Sequence, residues 1–419
     1  MVKVSKLAES LIGSEIVKLG NAITERIKKG EKIYNYTIGD FDSSVFPIPT
    51  ELEQYIIEAY QKKFTNYPPA DGIALLRKAV SAFLAQREGL VYAENEIQIA
   101  SGGRPLIYTL FETLVDAGDK VIYGVPSWNN NHYVHLTQGQ HCTIECTAEN
   151  NFMPTAEAIA PHIKGATLLC LCTPQNPTGT TLSKTSLEQI CDMVLEENNN
   201  RPPDAKKLYV MFDQMYWTLT YGDIQHYNPV TLRPAMREYT IFIDGISKAF
   251  AATGVRVGWA VGPAAIIAKM KAILSHLGAW APMAEQHAVA KYLGQTEAID
   301  RYLNSYKQAI EYRLNSIYQG IKALQKKGYS VDAIAPQAAI YLAVQMNLTG
   351  KKTKEGQLLE NQDAVTGYIL SEAKIAIVPF YAFGAGRNSS WYRLSVGTCR
   401  EEDIVPMLNG LEKALAALQ

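Results

Sequence analysis

The sequence predicts an α/β protein with a mostly parallel central sheet covered by helices. Between about residues 70 and 290, short apolar runs alternate with amphipathic helical stretches. Three of these regions place a polar residue at or just after a strand end: Asn176, Asp213 and Lys248. In open α/β sheets ligands sit beyond the carboxyl ends of the strands, so these residues fall where that rule puts a site. The length, 419 residues, suffices for two domains with cores of their own.

The elements follow in order. Residues 14–29 carry Ile16, Leu19, Ile23 and Ile27 at helical spacing and stop at Gly30, which predicts a helix. A strand is expected over 33–38, then an irregular stretch through Pro47-Ile48-Pro49. Helices are expected over 75–86 and 105–116, and strands over 97–100 and 120–123. The apolar runs at 168–172, 208–212 and 239–243 read as buried strands. Residues 197–207, polar and holding Pro202-Pro203, read as an exposed loop. A long helical region spans 282–327 with a break near Gly294. Residues 349–361, rich in Lys, Gly and Glu, read as a surface loop.

Composition narrows the function. Hydrophobic residues make up 47% and charged residues 19%, ordinary values for a soluble enzyme. The net charge of −1 gives no reason to expect nucleic acid or an anionic membrane as partner. No apolar run approaches a membrane span and the first 20 residues hold no signal-peptide core, so the cytoplasm is expected. Six cysteines, at 142, 146, 170, 172, 191 and 399, form no Cys-x-x-Cys pair, and disulfides are not expected. Cys170 and Cys172 alternate with leucines and are expected to pack as small apolar groups. His132, His135, His141 and Cys142 lie close together but lack ligand spacing, so no metal site is assigned.

Six motifs carry the chemistry. They are Ser101-Gly102-Gly103-Arg104, Gly124-Val125-Pro126-Ser127-Trp128, Asn176-Pro177-Thr178-Gly179, Asp213-Gln214-Met215-Tyr216, Ser247-Lys248 with Arg256 eight residues on, and Trp391-Tyr392-Arg393. A lysine after a strand can form an imine with an aldehyde, and an arginine with a serine hydroxyl can hold a phosphate. Gly102, Gly103 and Arg104 open a predicted helix, whose N–H groups and dipole suit an anion. Singly, each motif also fits a bland reading: a surface Ser-Lys, an Asp capping a turn, a plain Asn-Pro-Thr-Gly turn, a core Trp. Together and in this order, the chain resembles the class I/II, fold-type-I aminotransferases, and is aspartate aminotransferase-like.

That resemblance implies pyridoxal 5′-phosphate as cofactor and a smaller α+β domain beside the sheet. The large domain is expected at 47–290 and the small one at 1–46 plus 291–419. Lys248 is implied as the Schiff-base lysine and proton shuttle. Asp213 should face the pyridine nitrogen, with Tyr216 and Asn176 at the ring hydroxyl and Trp128 stacked on the ring. Gly102, Gly103, Arg104, Ser247 and Arg256 are implied at the phosphate. Tyr67, in Asn66-Tyr67-Pro68, resembles a tyrosine that reaches the partner subunit's phosphate, which would make the active unit a homodimer with shared sites; a plain Tyr-Pro turn is the other reading. Arg393, with Gly39 and Asn176 beside it, should take the substrate α-carboxylate as a two-pronged donor. Arg104 stands where aspartate-specific relatives carry a lysine for the distal carboxylate, although it would also suit solvent or the phosphate.

Two departures from the family pattern stand out. Gly245 occupies a position where many relatives carry a hydroxyl, and Gly39-Asp40-Phe41-Asp42 replaces a Gly-x-Pro-Asp-Phe entrance. The implied reaction is ping-pong transfer of an amino group between an L-amino acid and a 2-oxo acid, with aspartate or glutamate favoured as one partner, while Phe41, Phe46 and Trp128 would equally suit an aromatic or aliphatic substrate. A carbon–sulfur β-lyase on the same fold is the first alternative, since fold and cofactor do not fix the reaction. A non-catalytic sensor of cofactor or amino acid is the second.

Overall fold

The computed structural model describes residues 3–11 and 15–419. Its centre is a seven-stranded sheet. In spatial order the strands are Ile97–Ala100, Gly258–Val261, Thr240–Gly245, Tyr209–Asp213, Ala166–Cys172, Lys120–Val125 and Gln140–Glu145. All pair in parallel except Gly258–Val261, which runs antiparallel to both neighbours. The central strands are apolar on both faces because helices cover both. Thr240–Gly245 illustrates this: Ile241 and Ile243 point into one core with Leu106 and Leu110, while Phe242 points into the other with Phe83 and Val210.

A second, four-stranded antiparallel sheet has the order Val378–Pro379, Trp391–Ser395, Tyr341–Met346, Val331–Ala333 and its own apolar core. One helix, Thr296–Lys326, links the two cores. Its early residues Ala298 and Ile299 pack with the large sheet. Tyr306, Ile310, Leu314, Ile317 and Ile321 then repeat at three- and four-residue spacing against the small one. At 1.5 Å per residue its 31 residues reach about 46 Å. The preceding helix, Met283–Leu293, stops at Gly294 as the sequence predicts.

The N-terminal helix is observed over Glu15–Lys28; the expected start at residue 14 and the side chain of Ile16 lie outside what is described. Ile23 is fully buried, whereas Ile27 is exposed. The strand expected at 33–38 is only Tyr34–Asn35, paired in parallel with Ile375–Ala376. Beyond it the backbone turns into the site, where the Thr37 carbonyl accepts from Arg393 and the Gly39 carbonyl from Lys248. A correction is also needed at 197–207. The helix Lys184–Asn200 runs into this segment, and buried Asn198 bonds both the amide and the carbonyl of Leu208. That asparagine belongs to the fold, which polarity alone did not reveal. Among the described residues no helix is long and apolar enough to cross a membrane.

Candidate active site

The carboxyl ends of the parallel strands and the edge of the small sheet meet over a cavity of about 350 Å³. Asp213 ends one strand, and the turn holding Ser247 and Lys248 follows the neighbouring one. Asn176 follows the strand on the other side, and Arg393 comes from the small sheet. These residues line the cavity together with Gly39, Gly103, Arg104, Trp128, Tyr216 and Arg256.

Lys248 donates from Nζ to the Gly39 carbonyl at 2.6 Å. Desolvation lowers its pKa to about 8; Asp40 opposes the shift, while Arg393, Arg256 and Arg104 add to it. A neutral amine is therefore accessible near physiological pH, as proton transfer requires. Asp213 accepts from the Met215 amide at 3.1 Å. Burial raises its pKa to about 6, with the Met215 N–H and the Cys172 thiol holding it back. A cationic ring nitrogen placed there would return it to the charged form.

Gly102 has φ +83° and caps the helix Gly103–Leu114. A Cβ at this glycine would run into the Arg256 guanidinium, so the missing side chain is what lets Arg256 reach the helix start. Arg256 is held there by the carbonyls of Thr253 at 2.6 Å and Ser101 at 2.8 Å. Gly102 therefore shapes the anion cradle from behind. At Gly245 a Cβ would meet Gly258 Cα and the Val257 carbonyl, each at 2.8 Å. The hydroxyl that relatives carry has no room here, because the antiparallel strand lies against this position.

Arg393 is 1% exposed. Its terminal nitrogens donate to Asn176 Oδ1 at 3.0 Å and the Thr37 carbonyl at 2.6 Å, while Nε has no partner. Rings of Tyr341 and Phe383 flank it at 4.8 and 4.9 Å. Among the described residues no carboxylate lies within 4.0 Å of it. A buried guanidinium without an anion is a site prepared for one. Gly39 lies against this group, where a Cβ would come 2.9 Å from Tyr341 Oη and 3.4 Å from Arg393. Asp40, at the altered entrance, accepts from Thr253 Oγ1 at 2.6 Å and so ties the entrance to the lysine segment.

Arg104 lies over the Trp128 ring at 5.2 Å and faces the same cavity. Tyr67 does not join it. It is exposed, edge-on to Trp280 at 5.6 Å beside a separate surface hollow.

Several lining residues carry no strong local signal in the sequence, and three of them matter most here. Tyr341 bonds Tyr216 Oη to Oη at 2.6 Å and supports Arg393; no local motif marks it, because its partners are distant in sequence. Cys172 does more than pack: it lines the cavity, and its thiol, which donates to the Pro174 carbonyl at 3.6 Å, helps to hold the Asp213 pKa down. Its place as the last residue before Thr173-Pro174 was the available clue. Met215 stands between Asp213 and Tyr216, and its methyl would be 2.8 Å from a Cβ on Gly103. Of the histidines near 132–141, His141 bonds Tyr123 and His135 bonds Ser10.

The donor set fits a phosphorylated pyridine aldehyde: an amine, an acid at ring depth, a helix start with an arginine for the phosphate, and a stacking indole. Comparison with known proteins agrees. The family model for aminotransferase class I and II matches residues 32–411. The chain is 31% identical over 407 residues to an aspartate aminotransferase of Geobacillus stearothermophilus, covering 95% of each. It is 30% identical over 356 residues to one of Bacillus sp. strain YM-2, covering 84% of this chain and 85% of that one. The solved aspartate aminotransferase of Rhizobium meliloti matches all of both chains with TM-score 0.91 at 25% identity. The one from Thermus thermophilus with maleate matches 99% of this chain and 100% of that one, with TM-score 0.87 at 25% identity.

Proposed function

This chain belongs to the class I and II aminotransferases, and we propose that it moves the amino group of aspartate or glutamate onto a 2-oxo acid. Its cofactor is pyridoxal 5′-phosphate, which when bound supplies the carbonyl that receives the amino group and the electron sink for the reaction. Lys248 holds the cofactor and moves the proton at the substrate Cα. Asp213 keeps the ring nitrogen charged. Tyr216 and Asn176 donate at the ring hydroxyl, and Trp128 covers the ring. Ser247, Arg256 and the start of the Gly103–Leu114 helix take the phosphate. Arg393 takes the α-carboxylate, with Gly39 and Asn176 setting its place.

One observation carries the substrate class. Arg393 and Arg104 face one cavity, and among the described residues neither has a carboxylate within 4.0 Å. Both lie close enough to Lys248 to lower its pKa. Two guanidiniums without a carboxylate partner around one amine suit a substrate with a carboxylate at each end. The Thermus thermophilus relative, solved with a dicarboxylate, supports this reading.

The active unit is a homodimer in which Tyr67 reaches the partner's phosphate; the exposure of its ring beside Trp280 supports this. The large domain is 47–290 and the small one 1–46 with 291–419, a division supported by the two sheets and their cores. The enzyme works in the cytoplasm, which suits six free thiols.

The test compares wild type and Arg104→Ala on aspartate and on alanine or phenylalanine, with 2-oxoglutarate as acceptor. A loss of roughly 2–5 kcal/mol in kcat/KM confined to aspartate is expected. An equal loss on every donor would move Arg104 to the cofactor, and no loss would remove it from the site. Ammonia and pyruvate released from cystathionine would assign a lyase instead.

A further inference from the structure

A second buried constellation, which the reaction above does not use, lies behind the strand ends that carry Asp213 and Lys248. Glu88 is the last residue of the helix Ala74–Glu88, and its side chain is 3% exposed. Its Oε1 accepts from Gln214 Nε2 at 2.7 Å. Its Oε2 has no hydrogen-bond partner and stands 3.7 Å from His226 Nε2. Gln214 directly follows Asp213, is wholly buried, and bonds His226 through Oε1 at 3.3 Å. An amide oxygen only accepts, so the proton of His226 is on Nε2 and Nδ1 is bare.

Asp244 lies on the adjoining strand, four residues before Lys248, and is 1% exposed. It accepts from Trp217 Nε1 at 2.8 Å and from the Gly245 amide at 2.7 Å.

The charged and titratable groups around Glu88 can be named. Asp244 raises its pKa; burial lifts the Asp244 pKa to about 7 as well, with the Gly245 N–H and Trp217 holding it back and Asp213 adding to the rise. His226 is neutral, since burial lowers its pKa to about 3. Arg87 is engaged by Asp300 at 2.5 Å and by the Thr296 carbonyl. Lys307 and Asp300 line the same hollow. Among the described residues no lysine or arginine nitrogen lies within 4.0 Å of Glu88 or Asp244.

Two buried carboxyls with no lysine or arginine in reach both resist ionisation. The hydrogen bonds decide which one keeps its proton to higher pH. Asp244 receives two N–H donors; Glu88 receives one, and its second oxygen receives none. We propose that Glu88 is a positioning residue that works as a neutral acid and fixes Asp213 through Gln214.

The sign of the pH effect follows. Glu88 holds a proton in the folded protein at pH values where the unfolded chain has lost it. This contribution to stability therefore falls as pH rises from about 4.5. Glutamine at this position keeps the bond to Gln214 and never ionises.

The experiment uses the full chain, cofactor-loaded and stripped, as wild type, Glu88→Gln and Glu88→Ala. Measured quantities are Tm at pH 5 and pH 8, the cofactor dissociation constant, and kcat and KM with aspartate. We expect Glu88→Gln to melt above wild type at pH 8, with the gap shrinking at pH 5, and to keep cofactor affinity and kcat within about two-fold. Glu88→Ala should weaken cofactor binding and lower kcat about ten-fold or more, with KM little changed. Rescue by glutamine but not alanine is what a neutral positioning acid requires. Equal pH dependence of Tm in wild type and Glu88→Gln would overturn the neutral acid. Loss of cofactor affinity in Glu88→Gln as large as in Glu88→Ala would mean that the charge is needed. Wild-type affinity and kcat in Glu88→Ala would remove the positioning role. Should Glu88→Ala not fold, Glu88→Leu, which cannot accept from Gln214, takes its place with the same expected loss and the same refuting result.

Discussion

Asp213→Asn should make the cofactor-free protein more stable and the loaded enzyme nearly inactive. Burial raises the Asp213 pKa to about 6 from the usual 3.8. The folded protein therefore holds a proton that the unfolded chain releases, and stability falls as pH climbs from about 3.8 to about 6. At about 1.4 kcal/mol per unit, the penalty reaches about 3 kcal/mol at pH 7, an upper figure because solvent reaches part of the side chain. Asparagine is nearly the same shape, keeps an oxygen for the Met215 amide, and carries no charge to desolvate. Thermal melts of stripped protein should show the variant ahead at pH 7.5, with about half that advantage in free energy at pH 5. Turnover should fall by roughly 10²-fold or more, since a preorganised charge at the ring is worth several kcal/mol. A variant no more stable than wild type at pH 7.5 would refute the electrostatic argument. Turnover within a few-fold of wild type would reduce Asp213 to a turn residue.

Other expectations follow from the same geometry. Lys248→Ala should still bind cofactor through phosphate and ring contacts yet barely turn over, and near-normal transamination would remove Lys248 from its role. Arg393→Lys should raise KM for amino donors about ten-fold or more, because a point charge cannot replace the fork that also serves Asn176 and Thr37; unchanged KM would place the α-carboxylate elsewhere. Gly102→Ala should weaken cofactor binding, since the new Cβ meets the Arg256 guanidinium at a backbone φ of +83°; equilibrium titration with cofactor checks it.

The parts legible in sequence share one property: their information is local. A strand of alternating apolar side chains, a glycine pair opening a helix and a lysine after a strand each announce themselves within a dozen residues. Asn176, Asp213 and Lys248 come together because adjacent parallel strands end at one level, and topology does the rest. Tyr341 was invisible for the opposite reason. Its value lies in touching Tyr216 and Arg393, residues 125 and 52 positions away, through a sheet whose register no short window contains. Gly245 departs from the hydroxyl of many relatives, and the antiparallel strand across from it shows that a side chain has no place there. Tyr34–Asn35 was overextended for a related reason, since the residues after it spend their carbonyls on Arg393 and Lys248 instead of on a sheet.

The charges around the cavity determine what can enter it. Lys248, Arg104, Arg256 and Arg393 face it, with only Asp40 and Asp213 as lining acids among the described residues, and Asp40 is tied to Thr253. Such clustering of cations is costly, and the lowered pKa of Lys248 records part of that cost. On the proposed function such a cluster is kept because anions are to be received: a phosphate at the Gly102–Arg256 cradle and carboxylates at Arg104 and Arg393. Each arriving anion relieves repulsion at Lys248 and raises its pKa toward the ordinary value. The titration of Lys248 should therefore move upward when a dicarboxylate such as maleate is added, and by less with a monocarboxylate. Following the pH dependence of Lys248 labelling by an amine-selective reagent in cofactor-free protein, with each anion present, tests this directly. A larger shift with maleate is expected if Arg104 and Arg393 act together; equal shifts would leave Arg393 as the only carboxylate site.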